Sequence, residues 1–589
     1  MKKKLTLFVI LTLFISALIF ALPKEDAEYL YLHKTYRINP DGSWILKYES
    51  KVKLNTYLST RRLFGETFIV YNPKYQKLAV LKSETTMANG KKVPTPENGY
   101  NKVLPRAAHN FPDFSFMREM VISHTGLERG ATEELIYTIK TKKDFAPYFF
   151  TLEPLKERVP VKELVISFEV PKGKELYYEA INSEFKPIIK ENGDYRVFTF
   201  EIKSPKKSEP YNFYYPEDNP FLFVKVEKSG ELKKIFSEEP LSESLKKKIE
   251  KIKENSANFY EFLLKIQKYV SSDIQTVSLK LSELGFHFRT INKVISSNYG
   301  TRIEKTKLLY SILKNSGLNP EVLIFTPFSN FRAITPLDKI FVKVEENGKE
   351  YFLNPVKLQS EFYPYGFDRW NIFKITGETF KIAKVKGTKD NLLEIVGTIN
   401  LDNGNTGNFK INAKGVFNNY RASLKNELSF ASSLLGKTLG IRANKIKKII
   451  VKSPENFVAE VCMKSKVFKE NYGKYLFFER PNLPFFSELS PYLFSGSRTI
   501  HFETPFIIEY KLKFIIPKNY KLDYSVKDIS ISNSVGKFTR KISVSGDSVS
   551  LKMKLRINKP KILKKELLRK IYENYVKDKY YLIFVKFHL

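Results

Sequence analysis

Residues 298–317 read NYGTRIEKTKLLYSILKNSG, and this stretch decides the fold. Ile303, Leu309, Ile312 and Leu313 recur at helical spacing, with Lys305, Lys307 and Lys314 between them. The spacing predicts an amphipathic helix docked on a core. Gly300 is expected to make a tight turn that opens the helix, and Gly317 to leave it in a left-handed conformation.

The first residues of that helix carry the chemical question. Gly300-Thr301-Arg302-Ile303-Glu304-Lys305-Thr306 resembles the Gly-Asp-Cys-Lys-Asp-Lys-Ala type motif of transglutaminase-like domains. The resemblance implies a papain-like α+β core with a nucleophilic Cys at the helix start, where this chain has Arg302. Residues 339–355, KIFVKVEENGKEYFLNP, resemble the family's His strand, hairpin and Asp-Pro strand. Lys339 stands where the His would be and Asn354 where the Asp would be, so all three catalytic positions are changed.

The consequence follows from side-chain chemistry. A Cys-His pair works because a thiol of pKa about 8.5 passes its proton to an imidazole and then attacks a carbonyl carbon. Arg has no accessible deprotonated form. Lys serves as a base only when strongly desolvated, and Asn orients a partner without stabilising a cation by charge. The one Cys in the chain is Cys462, in a strand-like region elsewhere, where a buried small hydrophobe is the simplest expectation. Ser296, Ser297, Thr301 and Thr306 flank the changed position, yet no nearby His is present to activate a hydroxyl. Glu304 matches the motif's acidic residue and is expected on an exposed helix start, favouring the dipole. If the old cleft is open, Arg302, Lys339 and Asn354 would line it as a donor-rich surface for carboxylates or other anions. The competing expectation has Arg302 facing water or paired with Glu304.

The 589 residues suggest three or four domains. There are 99 Lys and Arg against 63 Asp and Glu, a formal charge of +36, with Lys scattered through nearly every segment. Nucleic-acid readers concentrate charge in a patch or a reading module, and neither is found, so no nucleic-acid partner is expected. Solvated Lys-rich faces explain the excess, and attraction to anionic envelope surfaces is the alternative. A single Cys forms no internal disulfide. There is no Gly-rich phosphate loop, no Cys or His pair at zinc spacing and no G-x-S-x-G elbow, so no cofactor is expected.

In chain order, Met1 to Lys4 precede an apolar run, Leu5 to Phe20, and Ala21. The run is shorter than the roughly 20 residues that span a bilayer, so 1–21 reads as a signal peptide with cleavage expected after Ala21, an uncleaved anchor being the alternative. No later stretch is long enough to span. Alternation of Leu164, Ile166, Phe168 and Val170, and of Phe198, Phe200 and Ile202, predicts strands, and Asn89-Gly90 and Asn192-Gly193 predict hairpins. Residues 22–230 thus form an expected β-sandwich. Residues 109–140, with NPDGSW near residue 39, resemble the β-rich domain of unknown function 3857, which commonly precedes a transglutaminase-like domain in exported bacterial proteins. His109, Asp113, Arg118, Glu119 and His124 lie close together there as possible metal ligands or an acid-base pair, although their spacing matches no metal signature.

Pro216 to Pro240 reads as a linker, then helices lead into an α+β domain over 241–385 with small-sheet strands Glu321–Phe325, Ile340–Val344 and Tyr351–Leu353. Residues 390–589 read as strands with a helix over Ala422–Leu439, a last helix marked by Leu563, Leu567, Ile571 and Tyr575, and a last strand, similar to the β module often found after the same central domain. The expected fold is multidomain and mainly β: an N-terminal β-sandwich, a transglutaminase-like α+β core and a C-terminal antiparallel β domain with a terminal helix. The expected function is an exported, periplasmic or extracellular, non-catalytic protein whose degenerate domain binds or supports an envelope glycan, peptide or protein. The alternative is a peptidase, amidase or peptide-crosslinking enzyme with an unrecognised site.

Overall fold

The computed structural model describes residues 25–587 apart from 204, 206–218, 227–235, 237, 331–332, 360–361, 364–369, 377–378, 383–390, 402–405, 419–426, 441–444, 452–456, 465–468, 472–474, 495–499 and 503. The leader over 1–21 lies outside the described residues. Among those described, no helix is long and apolar enough to cross a membrane. The chain is multidomain and mainly β, with the α+β unit in the middle.

The N-terminal part opens with β1 (Ala27–Ile38), β2 (Trp44–Leu54), β3 (Glu66–Tyr71), β4 (Gln76–Thr86) and β5 (Lys92–Pro94). It continues with β6 (Tyr100–Val103), β7 (Arg118–Ser123), β8 (Thr132–Thr141), β9 (Phe149–Pro154) and β10 (Glu163–Pro171). The last four are β11 (Leu176–Ile181), β12 (Ile188–Asn192), β13 (Tyr195–Lys203) and β14 (Phe221–Val226). One large sheet has the order β12-β13-β10-β1-β2-β8-β4-β5, and two small sheets, β11-β14-β9 and β3-β7-β6, pack on it. Leu164, Ile166, Phe168 and Val170 are all sealed, as the alternation requires. The turn glycines Gly90 and Gly193 have φ of 85° and 56°, the left-handed region a hairpin needs there.

One expectation fails. The supposed linker contains β14, the middle strand of the β11-β14-β9 sheet, buried from Leu222 to Val226. A strand covered on both faces shows no alternation, so FLFVKV between polar runs gave no period to read. Even Lys225 is buried, its ammonium 3.9 Å from the centre of the Tyr148 ring.

The central part holds α1 (Glu243–Glu254), α2 (Phe259–Lys268), α3 (Ile291–Ser297) and α4 (Arg302–Asn315). Its strands are β15 (Gln275–Val277), β16 (Tyr299–Thr301), β17 (Glu321–Thr326), β18 (Lys339–Glu346) and β19 (Lys349–Leu353), followed by β20 (Asn371–Thr376) and β21 (Thr379–Ile382). The antiparallel sheet β19-β18-β17-β20-β21 receives α4, whose Leu308, Leu309, Ile312 and Leu313 share a core with Val342, Val344 and Leu353. The β18–β19 turn uses Asn347 and Gly348, both at positive φ, as a type I′ hairpin does.

The C-terminal part is an eight-stranded sheet with one parallel pair, Leu392–Asn400 beside Phe506–Ile515, and otherwise antiparallel. The helix Lys565–Val576 packs into its core, and the last strand, Tyr580–Lys586, pairs with Tyr475–Glu479 and Tyr520–Ser525 in a separate four-stranded sheet. The predicted helix over Ala422–Leu439 is present from Glu427 to Leu439, its first residues lying outside the described set. Cys462 is on the strand Phe457–Lys464, and its side chain is outside the described residues.

Candidate functional site

Backbone geometry sets the head of α4. The left-handed residue ahead of it is Asn298 (φ 59°), while Gly300 lies extended in β16, paired in parallel with β15. Gly300 is needed for close approach: a Cβ there would sit 3.0 Å from Val294 Cγ1 and 3.3 Å from Lys305 Cγ. Thr301 caps the helix in a capping box, its hydroxyl accepting from the Glu304 amide (3.3 Å) while the Glu304 carboxylate accepts from the Thr301 amide (2.8 Å).

Glu304 is buried, contrary to the expectation of an exposed helix start. Its partner is Arg289, which donates to Glu304 Oε1 from its backbone amide and Nε and to Oε2 from a terminal nitrogen, at 2.9–3.0 Å. The same guanidinium reaches Asp113 Oδ2 (2.6 Å), Ser297 Oγ (3.1 Å) and the Tyr299 carbonyl (2.8 Å). Its flat faces are covered by the rings of Phe114 and Tyr299, each centred 4.7 Å away. Neighbouring carboxylates more than offset the burial that would lower its pKa. Sequence reasoning missed Arg289, which belongs to no motif; the Thr301-x-x-Glu304 spacing was a readable sign that Glu304 had a backbone task.

Lys305 departs further from the amphipathic reading, because it is fully buried. Its ammonium donates to the carbonyls of Ser271 (3.1 Å) and Ile274 (2.8 Å) and to Thr276 Oγ1 (2.7 Å). With no carboxylate among these partners, burial pushes its pKa down to about 8.

Arg302, where the sequence resemblance leads one to expect a nucleophile, is half-buried and turned toward the start of β18. It donates to the backbone carbonyls of Asp338 (2.5 Å) and Thr335 (3.1 Å), not to Glu304. Asp338 is buried and its carboxyl accepts from the Thr335 amide; burial raises its pKa to about 6. Lys339 follows directly as the exposed first residue of β18, opposite Phe325. Asn354 follows Leu353, which faces Val342. Its amide donates to Gln267 Oε1 (2.9 Å), and its side-chain oxygen accepts from the amides of Val356 and Lys357 (3.0 Å each). The fold therefore joins Arg302 to the backbone beside Lys339, and engages Asn354 in a local turn.

The five N-terminal residues scatter. His109 is exposed, Asp113 serves Arg289 and Lys293, and Arg118 donates to the carbonyls of Ser115 and Met117. Burial and Glu283 raise the pKa of Glu119. His124 is sealed between Ser83 Oγ (3.2 Å from Nδ1) and Glu133 Oε1 (3.1 Å from Nε2). This order of Ser, His and acid has the connectivity of a hydrolase triad, yet Ser83, His124 and Glu133 are all buried and Ser83 is also bonded to Thr95. Burial pushes His124 down to about 4 and Glu133 up to about 8, so the pair is held neutral. A nucleophile sealed from solvent cannot meet a substrate. Among the described residues, no three His, Cys, Asp or Glu side chains form a group able to hold a metal.

The comparisons with known proteins fall on the two flanks and on the fold. Residues 40–209 match the family model of a domain of unknown function with a solved structure, DUF3857. Residues 481–583 match that of a second such domain, DUF3858. No curated protein matches the chain. Among solved structures, a candidate protease from Parabacteroides distasonis is 23% identical with a TM-score of 0.69, the match covering 95% of this chain and 99% of that one. A candidate cysteine protease from Cytophaga hutchinsonii is 10% identical with a TM-score of 0.18, covering 36% of this chain and 79% of that one, too low a score to compare folds. The first likeness shows a shared fold across nearly the whole chain.

Proposed function

We propose that the chain is an exported, non-catalytic protein whose degenerate transglutaminase-like domain serves as a binding or structural module of the cell envelope. The observation that carries this reading is Arg302. Where the family's sulfur would stand, a guanidinium donates to the Asp338 and Thr335 carbonyls, a task that holds the head of α4 against the start of β18. That arrangement favours a supporting role over the anion-binding cleft, because the Arg302 donors are directed into the protein.

The N-terminal part adds support. Its loop around Pro112–Phe114 packs against Tyr299, the Asp113 amide donates to the Tyr299 hydroxyl (2.9 Å), and Asp113 joins the Arg289–Glu304 cluster. The loop lies directly beside the residues that precede the degenerate nucleophile position.

The test is an assay of purified chain for cleavage, deamidation and crosslinking of peptide substrates, alongside Arg302→Ala. No turnover by either protein is expected. Turnover by the wild type that survives Arg302→Ala would overturn the non-catalytic reading and point to a site elsewhere.

A further inference from the structure

Four strands of the C-terminal sheet lie side by side in the order Leu392–Asn400, Phe506–Ile515, Ser548–Ile557 and Gly536–Ser545. Alternate residues of each enter the core, and the others stand on an outer face. The register fixes which side chains are neighbours there. Lys511 is opposite Lys552, and Lys552 is opposite Lys541, so three lysines form one row across adjacent strands. Arg556 is likewise opposite Lys537.

Like charges directly opposite each other, with Cβ atoms about 4.5–5.5 Å apart, destabilise a sheet. Part of the charge is answered within the face. Lys511 pairs with Glu394 (2.8 Å) and Glu509 (3.2 Å), and Lys554 pairs with Glu509 (3.0 Å), which also shows that these side chains share one side of the sheet. The rest is unanswered. Lys513, Lys537, Lys541, Lys552 and Arg556 are exposed, and among the described residues none of them has an ion pair. Asp528, which with Lys541 lines the sheet edge, accepts from the Ile542 amide (2.8 Å) instead.

Strand lysines often guard an exposed edge against pairing. That account does not cover Lys511, Lys513, Lys552 and Lys554, because Phe506–Ile515 and Ser548–Ile557 each have a strand on both sides. An uncompensated cationic array on inner strands calls for a partner that supplies the anions.

The extent and chemistry of the array select that partner. Lys513 is opposite Ser550, so the cations run from the level of Ser550 to that of Arg556, about 20 Å along the strands, and over three strands, about 10 Å across. One small anion would meet only a corner of it. The outward positions of these three strands carry no aromatic ring, so bases and sugar rings have nothing to stack on. At one end, Arg556 and Lys537 line a cleft of about 860 Å³ together with Leu392, Pro505 and Ile507, which sets cations beside an apolar wall. Cations spread in two dimensions and bordered by apolar surface suit a plane of anionic amphiphiles.

We propose that this face of the C-terminal sheet docks on a bilayer of anionic lipid, its lysines and Arg556 meeting the headgroups. The inference concerns the C-terminal sheet alone and does not rest on the reading of the central domain.

The experiment is co-sedimentation of the full chain with vesicles of equal parts phosphatidylglycerol and phosphatidylcholine, and with vesicles of phosphatidylcholine alone. The neutral vesicles report any binding by the apolar run near the N-terminus. Binding to the anionic vesicles should be about 10-fold tighter or more, and should fall as salt shortens the screening length. Lys541→Gln with Lys552→Gln should weaken it about 30-fold, since each lysine near an anionic surface adds about 1 kcal/mol. Lys247→Gln with Lys253→Gln, an equal charge loss on exposed positions of α1, should change it less than about 3-fold. The Lys541 and Lys552 variant should also keep or raise the thermal midpoint, because it removes opposed like charges. Absence of charge-dependent vesicle binding, or equal loss in the two double variants, overturns the proposal. So does a lowered midpoint in the Lys541 and Lys552 variant, which would show that these lysines serve the fold, and so does tighter binding to heparin than to the anionic vesicles, which would name an acidic polymer instead.

Discussion

Arg289 and Asp113 meet at 2.6 Å, joining the segment that precedes α4 to a loop of the N-terminal sandwich 176 residues earlier in the chain. The same guanidinium carries Glu304, so the boundary between the two parts and the head of α4 share one cation. Removing it should strand a buried carboxylate. Arg289→Ala is expected to cost about 3–5 kcal/mol, the usual penalty for breaking a buried pair. Asp113→Asn, which keeps one acceptor and leaves the more exposed partner, should cost about 1 kcal/mol. Urea unfolding followed by tryptophan fluorescence checks both, and equal costs would show that Glu304 does not depend on Arg289.

Arg302→Ala removes two hydrogen bonds from a charged donor to backbone carbonyls, one of them on buried Asp338. A loss of about 2–4 kcal/mol in stability is expected. An unchanged unfolding midpoint would mean that Arg302 is free to serve a ligand.

Lys305 predicts a pH dependence of definite sign. Its pKa is about 8 in the folded chain and about 10.4 when unfolded, so between these values the unfolded state binds more protons. Stability should therefore rise as pH increases through that window, by about 3 kcal/mol from this group. Lys305→Met should remove the rise. Denaturation midpoints collected from neutral to alkaline pH provide the check, and an identical slope in both proteins would contradict it.

Glu133 and His124 act in opposite senses. Glu133, raised to about 8, stabilises the fold below its unfolded value, and that contribution is lost as pH climbs to about 8. His124, lowered to about 4, gives stability that grows between about 4 and its unfolded value of about 6.5. The two slopes oppose each other in the acidic range. Above about pH 6.5 only the Glu133 decline remains. Glu133→Gln should flatten the decline from near-neutral pH to about 8, as read by the thermal midpoint of the N-terminal sandwich.

Much of the architecture was legible because periodic segments declare their buried face. The strand with Val549, Leu551, Met553, Leu555 and Ile557 buries all five, with Lys552, Lys554 and Arg556 left in solvent. Asn347-Gly348 likewise fixed its hairpin, since few residues other than Asn and Gly accept positive φ there. Phe221–Val226 was not legible, because a strand sealed on both faces carries no alternation.

The site divides differently. The amino-acid sequence by itself determined which groups stand at the head of α4 and at the ends of β18 and β19: a guanidinium, an ammonium and a carboxamide, whose chemistry is fixed by covalent structure. Only the tertiary structure decided what those groups do. Lys305 reads as a surface lysine from its neighbours in sequence, yet Ser271, Ile274 and Thr276 arrive from another segment to accept its hydrogens. Arg302 is turned to the Thr335 and Asp338 carbonyls, and Glu304 is claimed by Arg289. Hydrogen bonds between residues distant in the chain depend on where the backbone returns, and composition and spacing do not encode that return locally.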